Sequence, residues 1–133
     1  MNQALVDCIH AANETLITNG DVAAAPEFFA PDYVLHLGDR DLRGLKFVQG
    51  FVTDLRRSFA DLRAEVEVLV GDGDRVAWHR TLRGRHDAAF KGFPATGKAI
   101  AWRDMVVTRF EGGLIAEEWA VSDLAEHLLA ARR

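Results

Sequence analysis

Residues 64–75 read Ala-Glu-Val-Glu-Val-Leu-Val-Gly-Asp-Gly-Asp-Arg, and this stretch decides the fold class. Apolar side chains occupy every second position from Ala64 to Val70, a period of two that predicts a half-buried strand. The Gly-Asp-Gly-Asp sequence that follows is typical of a tight turn between two strands. The stretch therefore predicts an antiparallel hairpin in the middle of the chain.

The chain before this hairpin has the period of helices instead. Apolar residues recur at spacings of three and four over residues 3–18 and 45–59, which predicts two amphipathic helices. Asp21 is a favourable N-cap for a short helix through Ala30, which Pro31 would end. We expect strands at residues 33–37, 64–70, 75–90, 100–110 and 114–122. A final helix then follows the last strand. Helices first and an antiparallel sheet afterwards indicate an α+β fold.

The bulk composition indicates one ordinary globular domain over residues 1–133. The sequence is 49% hydrophobic and 27% charged, which excludes a disordered or collagen-like chain. A formal net charge of −4 argues against a protein that neutralises nucleic-acid phosphates. Cys8 is the only cysteine, so no internal disulfide can form. Because neither a signal segment nor a membrane-spanning apolar run is present, we expect a cytoplasmic protein that does not bind a membrane.

The stretch from Trp119 to Asp123 carries the first candidate for catalysis. On a strand, residues 119, 121 and 123 share one face, which would set the Asp123 carboxylate beside an indole. Such a site raises the pKa of a carboxyl toward the range that a general acid or base needs. The alternative is that Asp123 caps the final helix, a position that aspartate also favours.

Three histidines fall on predicted strands and could line a cavity between a curved sheet and the helices. They are His36, His79 and His86. Each could equally be a hydrogen-bonded core histidine. Strict alternation separates His79 from His86, although a bulge at Gly84 would change that register. A cluster of Arg80, Arg83 and Arg85 could attract an anion or form a solvated face.

Motifs for other chemistries are absent from the sequence. No His-Glu-x-x-His pair predicts a metal site, and no Gly-x-Ser-x-Gly element predicts a hydrolytic nucleophile. The glycines of residues 71–74 alternate with acids, which would repel a phosphate. We therefore expect proton transfer without a metal or cofactor.

Several short motifs along nearly the whole chain resemble the SnoaL-like polyketide cyclase, or ester cyclase, family. The matching stretches are a helix over residues 44–59 followed by Ala60-Asp61-Leu62, residues 71–78, Arg83-Gly84-Arg85-His86, residues 94–98, residues 109–113, and Trp119-x-x-x-Asp123. The resemblance implies a cone-shaped, barrel-like α+β fold of the nuclear transport factor 2-like type. In it, a curved mixed or antiparallel sheet wraps around N-terminal helices and encloses a deep pocket. It also implies homo-oligomers, dimers or tetramers.

The resemblance further implies intramolecular aldol ring closure of a polyketide ester or ketone, without metal or cofactor. Asp123 would be the acid/base, and His36 and His86 would line the same pocket. We expect the small hydrophobic substrate to contact four further residues: Trp119, His79, Trp102 and Phe51.

Other functions fit the same features. The fold also hosts isomerases, hydroxylases and epoxide hydrolases, and fold alone does not choose among them. Epoxide opening needs two acids bridged by an arginine, for which Asp104, Arg103 and Asp123 are the candidates. The chain could also be a binding protein for small molecules without catalysis, or a scaffold that dimerises through its sheet.

Overall fold

The computed structural model describes residues 1–132, which form a curved sheet with helices packed on its concave side. The first helix, Gln3–Ala12, continues into a π-helical segment, Asn13–Thr18, and a 3₁₀ segment spans Val22–Glu27. The helices and strands are α1 (Gln3–Ala12), β1 (Phe29–Leu37), β2 (Arg40–Arg43), α2 (Leu45–Ser58), β3 (Phe59–Asp72), β4 (Arg75–His86), β5 (Ala99–Glu111), β6 (Leu114–Ser122) and α3 (Leu124–Ala131).

The six strands form one open, mixed sheet in the order β2-β1-β6-β5-β4-β3. Strands β1 and β6 run parallel, and every other neighbouring pair is antiparallel. The predicted hairpin is present, because β3 and β4 pair from Phe59 and His86 to Asp72 and Arg75. The expectation of an α+β fold with a curved, mixed sheet is thus confirmed, although the sheet does not close into a barrel.

Alternation along the central strands separates a buried face from an exposed one. On β5, every even-numbered residue from Ile100 to Phe110 is buried, whereas Arg103 and Met105 between them are exposed. The buried face packs against apolar side chains of the helices, among them Ile9, Leu16, Val52 and Leu55. This face is concave, and it positions the site described below.

Several element boundaries differ from those that the sequence predicts, and one of them is the end of the strand expected at residues 75–90, which ends at His86. The expected helix through Ala30 ends at Glu27, and β1 already begins at Phe29, where the backbone of Phe28 accepts a hydrogen bond from Ile115 N. Strand β3 begins at Phe59 rather than Ala64. Residues 40–43, which lie outside the predicted strands, pair with β1 as a short edge strand. At Phe29, at Phe59 and in this edge strand, pairing with a neighbouring strand overrides the local pattern.

A β-bulge at Ala116 determines which side chains of β6 face the concave side. Phe110 pairs with Ile115, but Arg109 pairs with Glu117, so Ala116 has no partner on β5. One unpaired residue exchanges the two faces of the strand beyond it. As a result Glu118 faces the concave side opposite Thr108, whereas Trp119 lies opposite Val107 on the outer side.

Strand β4, in contrast, keeps one register with β5 from Arg75 to Arg85. Gly84 therefore makes no bulge against β5, and His79 and His86 lie on opposite faces. The glycine instead allows β3 to approach closely, because a Cβ at position 84 would lie 2.9 Å from the Cβ of Phe59.

Candidate functional site

A cavity of about 370 Å³ lies between the concave face and the helices. Most of its wall is apolar, formed by the π-helical segment, α2, α3 and the inner residues of the sheet. Apolar side chains that line it include Leu16, Phe29, Phe51, Val52, Trp78, Trp102, Val106 and Leu128. Such a wall suits an apolar molecule of the size of a small ring system.

Glu118 forms the centre of a hydrogen-bonded chain in the cavity wall. The Tyr33 hydroxyl donates to its Oε1 over 2.7 Å, and the Thr108 hydroxyl donates to its Oε2. Thr108 in turn accepts a bond of 2.8 Å from Trp78 Nε1. Both carboxyl oxygens are therefore held in place, and Glu118 is 8% exposed.

Burial is the main influence on the acidity of this carboxyl. It raises the pKa of Glu118, while the hydrogen bonds from Thr108 and Tyr33 and the charge of Arg80 oppose the rise. The pKa of Tyr33 is well above its usual value because of burial and the neighbouring Glu118, so its hydroxyl remains a donor. A carboxyl of this kind can exchange a proton nearer neutrality than an ordinary glutamate does.

A second polar group in the wall is built on Arg80. Its Nε donates to Asp104 Oδ2 over 2.8 Å, and its Nη1 donates to Asn13 Oδ1 over 2.9 Å. Asp104 Oδ1 is buried and has no hydrogen-bond partner among the described residues. The guanidinium has five N–H donors, so donors remain for an oxygen atom in the cavity.

Asp123 lies outside this wall, at the start of α3. Its side chain is 48% exposed; Oδ1 accepts a bond of 2.7 Å from Arg103 N, and Oδ2 lies 3.2 Å from His127 Nε2. It occupies the N-cap position, although its side chain makes no capping bond to α3. Arg103 projects from the outer face and Asp104 from the inner one, so the three candidates for epoxide opening do not share a site.

His36, Trp119 and His79 lie on the outer face of the sheet. The rings of His36 and Trp119 stack with centroids 5.4 Å apart. His36 is held between Glu117 and Asp41, at 2.6 and 2.7 Å, and these hydrogen bonds raise its pKa. His79 Nε2 pairs with an exposed glutamate of β3 over 2.6 Å. His36 and Trp119 line a groove on this face together with Met105 and Val121.

The remaining predicted residues lie on the inner side. Trp102 and Phe51 line the cavity. His86 is fully buried behind it and stacks on Phe59, which also contacts Trp102. The His86 Nδ1 lies 3.3 Å from Thr96 Oγ1. The structure thus brings Trp102 and Phe51 to the cavity, with His86 adjoining it, and leaves Asp123, Trp119, His36 and His79 elsewhere.

The polar residues of the cavity were mostly missed by the sequence analysis. The signal was present on β5, where Asp104 and Thr108 share the face of Trp102 and Val106 and interrupt a buried apolar row. Within residues 1–132, no group of three or more histidine, cysteine or acidic side chains is placed to hold a metal ion. Nor is any helix in that range long and apolar enough to cross a membrane.

Comparisons with known proteins agree with this architecture. The family model for SnoaL-like polyketide cyclase matches residues 7–130. IdmH of Streptomyces antibioticus, described as a candidate polyketide cyclase, is 30% identical with a TM-score of 0.80, covering 96% of this chain and 97% of its own. AclR of Streptomyces galilaeus, described as a candidate hydroxylase, is 25% identical with a TM-score of 0.79, covering 98% and 94%.

A candidate SnoaL-like polyketide cyclase from Jannaschia sp. CCS1 shares the fold, with a TM-score of 0.84 at 22% identity over 97% of this chain and 91% of that one. Among curated proteins, none matches. The curved six-stranded sheet and its helices correspond to the cone of the nuclear transport factor 2-like fold. The match over residues 7–130 shows that the chain belongs to the SnoaL-like polyketide cyclase family.

Proposed function

We propose that this protein is an acid/base enzyme that closes a ring in a polyketide ester or ketone by an intramolecular aldol reaction, without a cofactor. The observation that carries the proposal is Glu118, a buried carboxyl with a raised pKa in the wall of a mostly apolar cavity. Membership of the family and the likeness to IdmH support the reaction class.

In the proposed reaction, the Glu118 carboxylate removes a proton from a carbon that lies between two carbonyl groups. The resulting enolate carbon attacks a further carbonyl carbon of the same molecule, distinct from the two that acidify it, and forms the new carbon–carbon bond. The alkoxide then takes the proton back from Glu118, so the carboxylate is regenerated. No electron acceptor is needed, because the ring closure is redox-neutral.

Arg80 is placed to stabilise the negative charge in both steps. Its salt bridge to Asp104 and its bond to Asn13 hold the guanidinium in one orientation. A preorganised cation in a site of low polarity stabilises an enolate or alkoxide oxygen more than it would in water. Arg80 also opposes the rise in the pKa of Glu118, which links the two groups electrostatically.

Trp102 and Phe51 are proposed to hold a flat, apolar substrate. Aromatic walls provide a large contact area and exclude water. Exclusion of water matters because an enolate left in contact with water would be reprotonated before it closes the ring.

The test compares Glu118→Gln with Asp123→Asn. Both variants should be assayed for ring closure of a β-polyketo ester and for exchange of its acidic hydrogens in deuterated water. We expect Glu118→Gln to lose both activities by about a hundredfold to ten-thousandfold, while Asp123→Asn retains most of them. Full activity in Glu118→Gln would refute the assignment, and loss in Asp123→Asn alone would instead support the role predicted from sequence.

A hydroxylase is the second candidate, and the likeness to AclR favours it. The product distinguishes the two: ring closure gives an isomer of the substrate or a product lighter by one water, whereas hydroxylation adds one oxygen atom. Roles for His36 and His86, contacts of His79 and Trp119 with substrate, homo-oligomer formation and a cytoplasmic location stay predictions.

A further inference from the structure

The mouth of the cavity carries two basic side chains. Among the described residues that line the cavity, Arg40 and Lys91 are the exposed charged ones, whereas the acidic lining residues, Asp104 and Glu118, are buried. Arg40 comes from the edge strand β2 and Lys91 from the turn after β4. The exposed charged residues of this lining are thus basic, although the chain has a net charge of −4.

Neither cation forms an ion pair with a carboxylate of the described residues. Within residues 1–132, Arg40 and Lys91 have no carboxylate within 4.0 Å, although other surface arginines, such as Arg43 and Arg57, do pair with acids. The Lys91 ammonium instead lies 5.8 Å from the ring centre of Phe51 and 5.7 Å from that of Phe90. The two rings orient the charge toward the apolar wall.

The backbone at Lys91 gives an independent reason to assign a role to its side chain. Phe90 and Phe93 exchange two backbone hydrogen bonds of 2.9 Å, so Lys91 and Gly92 form a two-residue turn. Their φ angles are 45° and 84°. Asparagine, aspartate or glycine is usual at the first position of such a turn, and lysine there is strained. Strain of this kind is concentrated at functional sites.

We propose that Lys91, together with Arg40, binds an anionic group of the substrate at the mouth of the cavity. The ligand is then an amphipathic anion. Its apolar ring system contacts the wall around Phe51 and Trp102, and its carboxylate or phosphate remains at the mouth of the cavity. This inference rests on the proposed function only in taking the cavity as the substrate site. It adds to the proposed polyketide ester or ketone a free carboxylate or phosphate elsewhere on the molecule.

The test measures binding and needs no turnover. Isothermal titration calorimetry would compare 3-hydroxy-2-naphthoic acid, its methyl ester and 2-naphthyl phosphate on the wild-type protein. We expect at least one anion to bind about threefold to tenfold more tightly than the ester. The preference should shrink when salt rises from about 20 mM to about 500 mM. Which anion is preferred identifies the group.

Lys91→Met removes the charge but keeps the length of the side chain. It should reduce the preference for the anions over the ester, because Arg40 alone then remains, whereas Lys91→Arg should retain the preference. Lys46→Met is the matched control, because Lys46 is an exposed lysine of α2 outside the cavity wall. Equal binding of anions and ester, no saturable binding of either anion, or an unchanged preference in Lys91→Met would overturn the proposal. None of these results depends on the activity of Glu118→Gln.

Discussion

The Tyr33 hydroxyl donates a hydrogen bond of 2.7 Å to Glu118 Oε1. The two residues come from β1 and β6, the parallel pair of the sheet. This bond stabilises the ionised carboxylate and so opposes the effect of burial on its pKa. The first prediction follows from its removal.

Tyr33→Phe should raise the pKa of Glu118 further, because the carboxylate loses one donor. The acidic limb of the pH profile of kcat/KM should then move to higher pH, and activity near neutrality should fall. Thr108→Val, which removes the donor to Oε2, should shift the limb in the same direction. A pH profile that is unmoved in both variants would contradict the placement of Glu118 as the base.

Glu118 also makes the stability of the protein depend on pH. Its pKa is raised above the ordinary 4.5, so the folded state binds the proton more tightly than the unfolded state does. The contribution is fully present below the ordinary pKa and is lost as pH rises through the folded value. The free energy of unfolding of the wild type should therefore fall relative to that of Glu118→Gln over this range. Urea unfolding of both proteins at a series of pH values measures these free energies. A difference between them that does not change with pH would exclude the raised pKa of Glu118.

His36 should titrate above its ordinary pKa of 6.5, because Glu117 and Asp41 accept hydrogen bonds from its protonated ring. Its contribution to stability is present below that value and disappears as pH rises through the raised pKa. Since these groups are partly exposed, we expect less than about 1 kcal/mol. NMR titration of the His36 ring gives the pKa directly, and a value at or below the ordinary 6.5 would refute the prediction.

Two glycines provide a matched test of packing. Gly84→Ala should lower the free energy of unfolding by about 1–3 kcal/mol, because the added methyl would lie 2.9 Å from Phe59 Cβ and 3.3 Å from Ala60 O. Gly50→Ala, in the exposed middle of α2 with nothing within 4 Å, should raise it by about 0.5–1 kcal/mol. Thermal or urea unfolding of both variants measures these changes. Equal effects of the two substitutions would show that β3 moves away from the added methyl group without a loss of stability.

The sequence predicted the elements better than it predicted the site. Periods of two and of three to four identified both long helices, the hairpin of β3 and β4, and the order that gives an α+β fold. The sequence did not predict which side chains of β6 face the cavity. Continuing the register of Phe110 and Ile115 without interruption would set Asp123 opposite Trp102, on the inner face, where the family resemblance implies that it lies.

The bulge that changes this register is not revealed by the residues around 116. Ala116 is as apolar and as buried as its neighbour Ile115, so nothing in its chemistry marks it as the unpaired residue. The pairing of Thr108 with Glu118 depends on tertiary contacts of the whole sheet. Local alternation therefore located the strand but could not choose between Glu118 and Trp119 for the cavity.

The bulge at Ala116 has a further consequence for how such proteins diverge. Because successive side chains of a strand point to opposite faces, one residue more or less between the turn at Gly112 and the tryptophan exchanges the whole set of groups that a substrate would meet. Two relatives can share the letters Glu-Glu-Trp-x-x-x-Asp and yet present different carboxyls to their ligands. In this protein a single insertion or deletion, rather than a substitution, is the shortest route to a different reactive group.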